Sequence, residues 1–285
     1  MPLVCGGCAG LINGTTPTAG LNVARNVPYG ADAAQVVDVY APAATSGAPV
    51  VVFIHGGSWE TGDPGMYTFL GAALAARGIV AVLAGYRLYP QVSYPVFLQD
   101  SAQAVAWARD HAAAYGGDQN CLFVMGHSAG AYNAMMLALD PRWLRAVGLA
   151  PDTALAGVLG LAGPYDFLPL TAPDIQAVFA PARADLPDTQ PINHVSPGAP
   201  SAFLAYGTSD TTVKPRNSEA LAARLREAGD AVTLRAYPGI DHITLIGAYA
   251  WPFRWLAPVL PDSVDFIRQQ AAQRCASPAA RPPPR

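Results

Sequence analysis

A serine becomes a useful nucleophile where the chain clears other side chains away from it. Gly126-His127-Ser128-Ala129-Gly130 has that form. The pentapeptide reads G-x-S-x-G, follows the apolar run Leu122-Phe123-Val124-Met125 and opens a helical stretch at Ala129. Between a strand and a helix this motif is a sharp turn with the serine at its tip in a strained backbone conformation. Glycines two before and two after leave out Cβ atoms that would strike neighbouring backbone. The turn lifts Ser128 Oγ out of the sheet, and the helix N-terminus beneath it favours developing negative charge. A glycine-rich helix start without chemistry is the plainer reading, and the strand–turn–helix context stands against it.

A second turn, His55-Gly56-Gly57-Ser58-Trp59, comes directly after Val50-Val51-Val52-Phe53-Ile54. Two glycines at a strand end let amide N–H groups turn inward, where they can hold the oxyanion of a tetrahedral intermediate. Gly57 and Ser58 are the candidate donors, with Ala129 as the third. Both turns fall at the C-terminal ends of strands, where open α/β sheets place their sites.

A serine nucleophile needs a base and an acid that orients it. Of the five histidines, His55 and His127 belong to the two turns and His111 lies within a helical stretch. His242 follows a strand through Pro238-Gly239-Ile240-Asp241 and is preferred as the base; His194, in an irregular segment, is the alternative. Asp210 follows residues 202–206 through Gly207-Thr208-Ser209 and is the preferred acid. Asp241 and Asp166 are the alternatives. Asp241 adjoins His242, and neighbouring loop side chains point apart. Trp59, Tyr165 and Phe167 stand near strand ends, either as walls of an apolar acyl or aryl pocket or as core aromatics.

The elements that must position these residues alternate along the chain. Strand-like runs cover residues 35–40, 49–54, 79–83, 122–125, 156–161, 202–206 and 232–237. Helix-like runs cover residues 66–76, 97–115, 129–139, 218–228 and 264–272. Such alternation predicts a mostly parallel sheet with helices on both faces. Residues 167–200 hold seven prolines and read as a short irregular lid or binding segment.

With the order Ser128, Asp210, His242, the chain resembles the α/β-hydrolase-fold carboxylesterases. Within that fold it is similar to the hormone-sensitive-lipase-like, kynurenine-formamidase-like and bacterial feruloyl-esterase-type groups. The residues that carry the resemblance are His55 to Trp59, Gly126 to Gly130, Tyr206-Gly207-Thr208-Ser209-Asp210 with Val213, and Asp241-His242, within residues 27–267. Val27-Pro28-Tyr29-Gly30 with Val37-Asp38-Val39-Tyr40 resembles the opening strands of the group. The resemblance implies Ser128 as nucleophile, Asp210 as acid, His242 as base, an oxyanion hole from Gly57, Ser58 and Ala129, no cofactor, and a small-molecule ester substrate. It departs at Ser58, where lipase-like members often carry a third glycine. Formamide cleavage of the arylformamidase type is the alternative. A catalytically silent binding module is the reading from another class, and the intact triad stands against it.

Composition narrows the classes. Seventeen Lys and Arg against twenty Asp and Glu give a net charge of −3, which offers nucleic acid no basic face. Charged residues make up 13% and hydrophobic residues 52%, as in a compact globular body. The single lysine, Lys214, follows Val213, so no P-loop is present. There is no His-Glu-x-x-His and no spaced pair of Cys pairs, so no metal is expected. No run is apolar enough for a membrane span.

Residues 1–21 read as a flexible N-terminal segment, 22–275 as the hydrolase domain and 276–285 as a disordered Pro-rich tail. Cys5-Gly6-Gly7-Cys8 admits two readings: a plain disordered start, or the remnant of a lipoprotein signal with Cys8 lipidated. Localisation, whether periplasmic, lipid-anchored or cytoplasmic, stays open with it. Pairing of Cys121 with Cys275 is left open by the sequence.

Overall fold

The structure, a computed structural model, describes residues 6–275. The strands are β1 (Leu21–Pro28), β2 (Val36–Pro42), β3 (Ala48–Ile54), β4 (Val80–Ala84), β5 (Gly117–His127), β6 (Leu155–Leu161), β7 (Ala202–Gly207) and β8 (Val232–Tyr237). The helices are α1 (Gly6–Gly14), α2 (Thr68–Ala75), α3 (Val96–His111), α4 (Ala129–Leu139), α5 (Pro141–Arg145), α6 (Pro151–Ala154), α7 (Pro173–Val178), α8 (Arg216–Glu227), α9 (His242–Gly247) and α10 (Val259–Arg274). One eight-stranded sheet runs in the order β1-β2-β4-β3-β5-β6-β7-β8. β2 lies antiparallel to β1 and β4, and every later pairing is parallel. This is the α/β-hydrolase fold.

The sheet holds its position because its strands are apolar on both faces. On one side Val50, Val52 and Ile54 of β3 belong to the same hydrophobic cluster as Phe97 and Val105 of α3, Met135 of α4 and Leu221 of α8. On the other, Val51 and Phe53 belong to the same cluster as Leu70 of α2, Leu245 of α9 and Ile267 of α10. Parallel strands need crossovers, and these place the C-terminal ends of β3, β5, β7 and β8 on one rim. No helix among the described residues is long and apolar enough to cross a membrane.

The N-terminal stretch, read from sequence as flexible, is tied to the body at the last turn of α1. Asn13 Nδ2 donates to the carbonyls of Gly65 (2.8 Å) and Met66 (3.1 Å), and its Oδ1 accepts from Phe69 N (3.2 Å) at the head of α2. Cys8 lies within α1, and the Pro-rich tail at 276–285 falls outside the described residues. A disulfide joins Cys121 to Cys275, with Cα atoms 5.2 Å apart. It pins the end of α10 to the buried part of β5 and closes a loop of 154 residues, which restricts the unfolded chain.

Residues 167–200 are packed rather than loose. α7 and three 3₁₀ turns (Ala180–Ala182, Leu186–Thr189, Pro191–His194) order the segment. Tyr132 Oη donates to Thr189 O (2.8 Å), Phe167 N to Gln190 Oε1 (2.8 Å) and Tyr94 N to Val178 O (3.0 Å), strapping it over α3 and α4.

Candidate active site

Ser128 sits between β5 and α4 with φ 56° and ψ −123°, a conformation held against its cost by the surrounding hydrogen bonds. Ser128 N donates to Leu161 O (2.9 Å), and Ser128 O accepts from Ala131 N (2.9 Å) and Tyr132 N (3.1 Å). The flanking glycines are required by space. A Cβ on Gly126 would lie 2.1 Å from Gly130 O, and one on Gly130 would lie 2.0 Å from Ile54 O at the end of β3. α4 therefore starts hard against the two central strands, with Ser128 Oγ standing over their rim.

His242 reaches Ser128 from β8. Its Nε2 is 2.9 Å from Ser128 Oγ, and its Nδ1 is 2.7 Å from Asp210 Oδ2. Asp210 is 3% exposed; its Oδ1 accepts from Thr212 N and Val213 N, both at 2.9 Å. Those two amides fix the carboxylate so that only Oδ2 faces the imidazole.

His242 was expected on a loop, but it is the first residue of α9. Asp241 caps that helix by accepting from Thr244 N at 2.7 Å. That bond, first among several, holds the Asp241 carboxyl below the usual carboxylate range. Asp241 is thus occupied at the helix end. The Asp166 amide binds Asn217 Oδ1 (2.9 Å), and His194 Nε2 bonds Asp188 O (2.7 Å). Among the described residues none of these three alternatives reaches the Ser128 centre.

The second turn lies opposite. Gly57 has φ 120°, and both Ser58 (52°) and Trp59 (56°) take left-handed backbone, so the serine does adopt the conformation that a third glycine would reach more cheaply. Glu60 N and Thr61 N close the turn on Gly57 O (2.9 and 3.0 Å). Among the described residues the amides of Gly57 and Ser58 donate to no protein acceptor. Ala129 N, first in α4, lacks an intrahelical partner by geometry.

The aromatic candidates separate. Trp59 is 2% exposed and Tyr165 fully buried, so neither forms an open pocket wall; they are core. Trp59 Nε1 donates to Asn133 Oδ1 (2.9 Å), and its ring packs edge-on to Tyr132 and Phe179. The indole braces the turn from below. Phe167 alone keeps partial exposure. Sequence reasoning missed Asn133 and Asn217. Asn133 was visible as the one amide in the buried, otherwise apolar α4; Asn217, which accepts from Tyr165 N and Asp166 N (3.0 and 2.9 Å), carried no such signal.

Two buried histidines support the turns. His127 Nε2–H donates to His242 O (3.1 Å), and the two rings lie 4.7 Å apart. Burial holds His127 far below the ordinary histidine range. His55 Nδ1–H donates to Gly56 O (2.7 Å) and stacks on Tyr86 at 4.4 Å. Burial pushes its pKa down to about 4.

Both groups are neutral in the fold and take a proton more readily once unfolded. Their contribution is intact above about pH 6.5. For His55 it is lost as pH falls through the folded value near 4. His55 alone accounts for about 3 kcal/mol across that window. Urea unfolding of the parent at pH 7 and pH 4.5 should show this slope, and His55→Asn, which keeps a donor for Gly56 O, should flatten it. Equal slopes in both proteins would remove His55 as the cause.

Residues 37–225 match the BD-FAE family model. The chain belongs to the BD-FAE family. That membership places it among α/β-hydrolase-fold esterases. Esterase LipC of Mycobacterium tuberculosis is 30% identical over 271 residues, covering 87% of this chain and 67% of LipC. A probable isoprenylcysteine alpha-carbonyl methylesterase of Oryza sativa subsp. japonica is 31% identical, covering 78% of this chain and 57% of that protein. The chain thus spans about half to two thirds of these and other curated relatives. Esterase B from Lactobacillus rhamnosis superimposes with a TM-score of 0.78 at 20% identity, covering 93% of each chain. A truncated carbohydrate esterase from gut microbiota does so with 0.79 at 19%, covering 90% of this chain and 99% of that one. At those identities the structures establish the fold shared with BD-FAE members.

Proposed function

We propose that this BD-FAE member hydrolyses small to medium carboxylic esters through an acyl-enzyme on Ser128. The observation that carries the reading is His242 bridging Ser128 Oγ and Asp210 with one nitrogen each, at 2.9 and 2.7 Å. His242 Nε2 takes the Ser128 proton as Oγ attacks the ester carbonyl. The amides of Gly57, Ser58 and Ala129 hold the oxyanion. His242 then returns the proton to the leaving alcohol. Water repeats the sequence on the acyl-enzyme, with Asp210 ionised throughout and the imidazole held in the Nδ1–H tautomer.

Ester is preferred over formamide because relatives similar in sequence are named esterase and probable carboxylic ester hydrolase, while the catalytic geometry alone serves either bond. The test compares kcat/KM on aryl acetates, feruloyl esters and N-formyl anilides. Esters should lead by about tenfold or more; an N-formyl anilide cleaved fastest would move the function to the formamidase class.

A further inference from the structure

Most of the large exposed apolar side chains fall within residues 243–255, which begin just after His242 and run on past α9. Ile243, Trp251, Phe253 and Trp255 are 43%, 56%, 38% and 79% exposed; outside this stretch only Leu11 is comparable among the described residues. Trp251–Phe253 is a 3₁₀ turn after α9, and Trp255 Nε1 donates to Pro252 O (3.1 Å), which holds its indole folded back on the segment. Aromatic surface gathered this way marks a contact surface.

Its surroundings are basic. Arg254 lies between Phe253 and Trp255 in the chain, and its Nε donates to Tyr249 O (3.2 Å). Arg77, at the end of α2, lies near enough to help depress the Arg254 pKa, after burial. Arg268 Nη2 donates to Arg77 O (3.1 Å) and likewise lowers the Arg77 pKa, again after burial. Among the described residues no carboxylate forms an ion pair with any of these three arginines, and Asp265, one turn before Arg268 on α10, makes none with it. Three unpaired cations gather here in a chain whose net charge is −3.

We propose that residues 251–255, with Arg77 and Arg268, form a docking surface for an anionic phospholipid bilayer. Tryptophan favours the headgroup boundary, where its ring is apolar and its N–H is satisfied, and arginine pairs with phosphate. A second copy of the chain fits less well. A two-fold interface presents the same patch to itself and would set these arginines against one another.

The test is co-sedimentation of the whole chain with vesicles of phosphatidylcholine alone and of phosphatidylcholine mixed with phosphatidylglycerol. The chain should bind the anionic vesicles, spare the neutral ones and release as salt rises. Arg254→Gln and Arg268→Gln should each weaken binding about fivefold, and Trp251→Ser with Trp255→Ser about tenfold or more. All should keep the parental rate on a soluble aryl acetate, which shows that they fold. No binding, equal binding to both vesicles, or variants that bind like the parent would overturn the proposal. A concentration-dependent dimer abolished by Trp255→Ser would overturn it in favour of a second copy. Sedimentation needs no turnover, so this proposal and the esterase reading fail separately.

Discussion

Ser128→Ala is expected to lower aryl acetate turnover by about 10⁴- to 10⁶-fold while the protein melts within a few degrees of the parent. The structural work at this position is done by the backbone, through the bonds of Ser128 N to Leu161 O and of Ala131 N and Tyr132 N to Ser128 O. Alanine keeps the Cβ, so it bears the positive φ no worse than serine. The one side-chain hydrogen bond it removes is that to His242 Nε2. What disappears is therefore the nucleophile, and the residual rate reports the donors and binding alone. A phosphonate ester should add its mass to the Ser128 peptide of the parent and leave the variant unlabelled. A variant that keeps more than about a hundredth of parental turnover, or an adduct on another residue, would take the nucleophile away from Ser128.

Much of the scaffold behind that prediction was legible because buried parallel strands announce themselves as apolar runs. Residues 129–139 and 232–237 were read with the bounds that α4 and β8 have. β1 was seen only through the family resemblance of its end at Val27 and Pro28. Its burial alternates weakly along the sheet edge, so no strong pattern marks it. Residues 167–200, with seven prolines, read as irregular from sequence, yet prolines stand at the first turns of α7 and of all three 3₁₀ segments, where the missing N–H costs nothing.

Within the candidate site, local rules reached the turns and long-range packing decided the rest. The reason for Gly126 and Gly130 could be stated from sequence, but the partner that Gly130 spares, the end of β3, is a tertiary contact. Trp59 could be read as wall or core. Only the fold shows its indole under the turn on Asn133. α9 was missed because it has six residues, too few for a periodicity to show. Its sole local mark was Asp241 as a helix-capping residue type.

That cap separates two substitutions with nearly the same chemistry. Asp210→Asn should lower kcat by about 10⁴-fold, and Asp241→Asn should leave it within about twofold. In Asp210, Oδ1 receives Thr212 N and Val213 N, and these amides can be met only by an oxygen. Asparagine at this position must keep its carbonyl there and turn its NH₂ toward His242 Nδ1. The imidazole then accepts at Nδ1 and carries its proton on Nε2, facing Ser128 Oγ, where it can no longer take the serine proton. KM should stay within a few fold, because nothing that contacts substrate has moved. At 241, asparagine still offers an oxygen to Thr244 N and is as good a helix cap as aspartate. His242 therefore keeps its place at the start of α9. If Asp241→Asn proved the crippling change and Asp210→Asn the silent one, the orienting acid would have to be reassigned and the tautomer argument would fall with it.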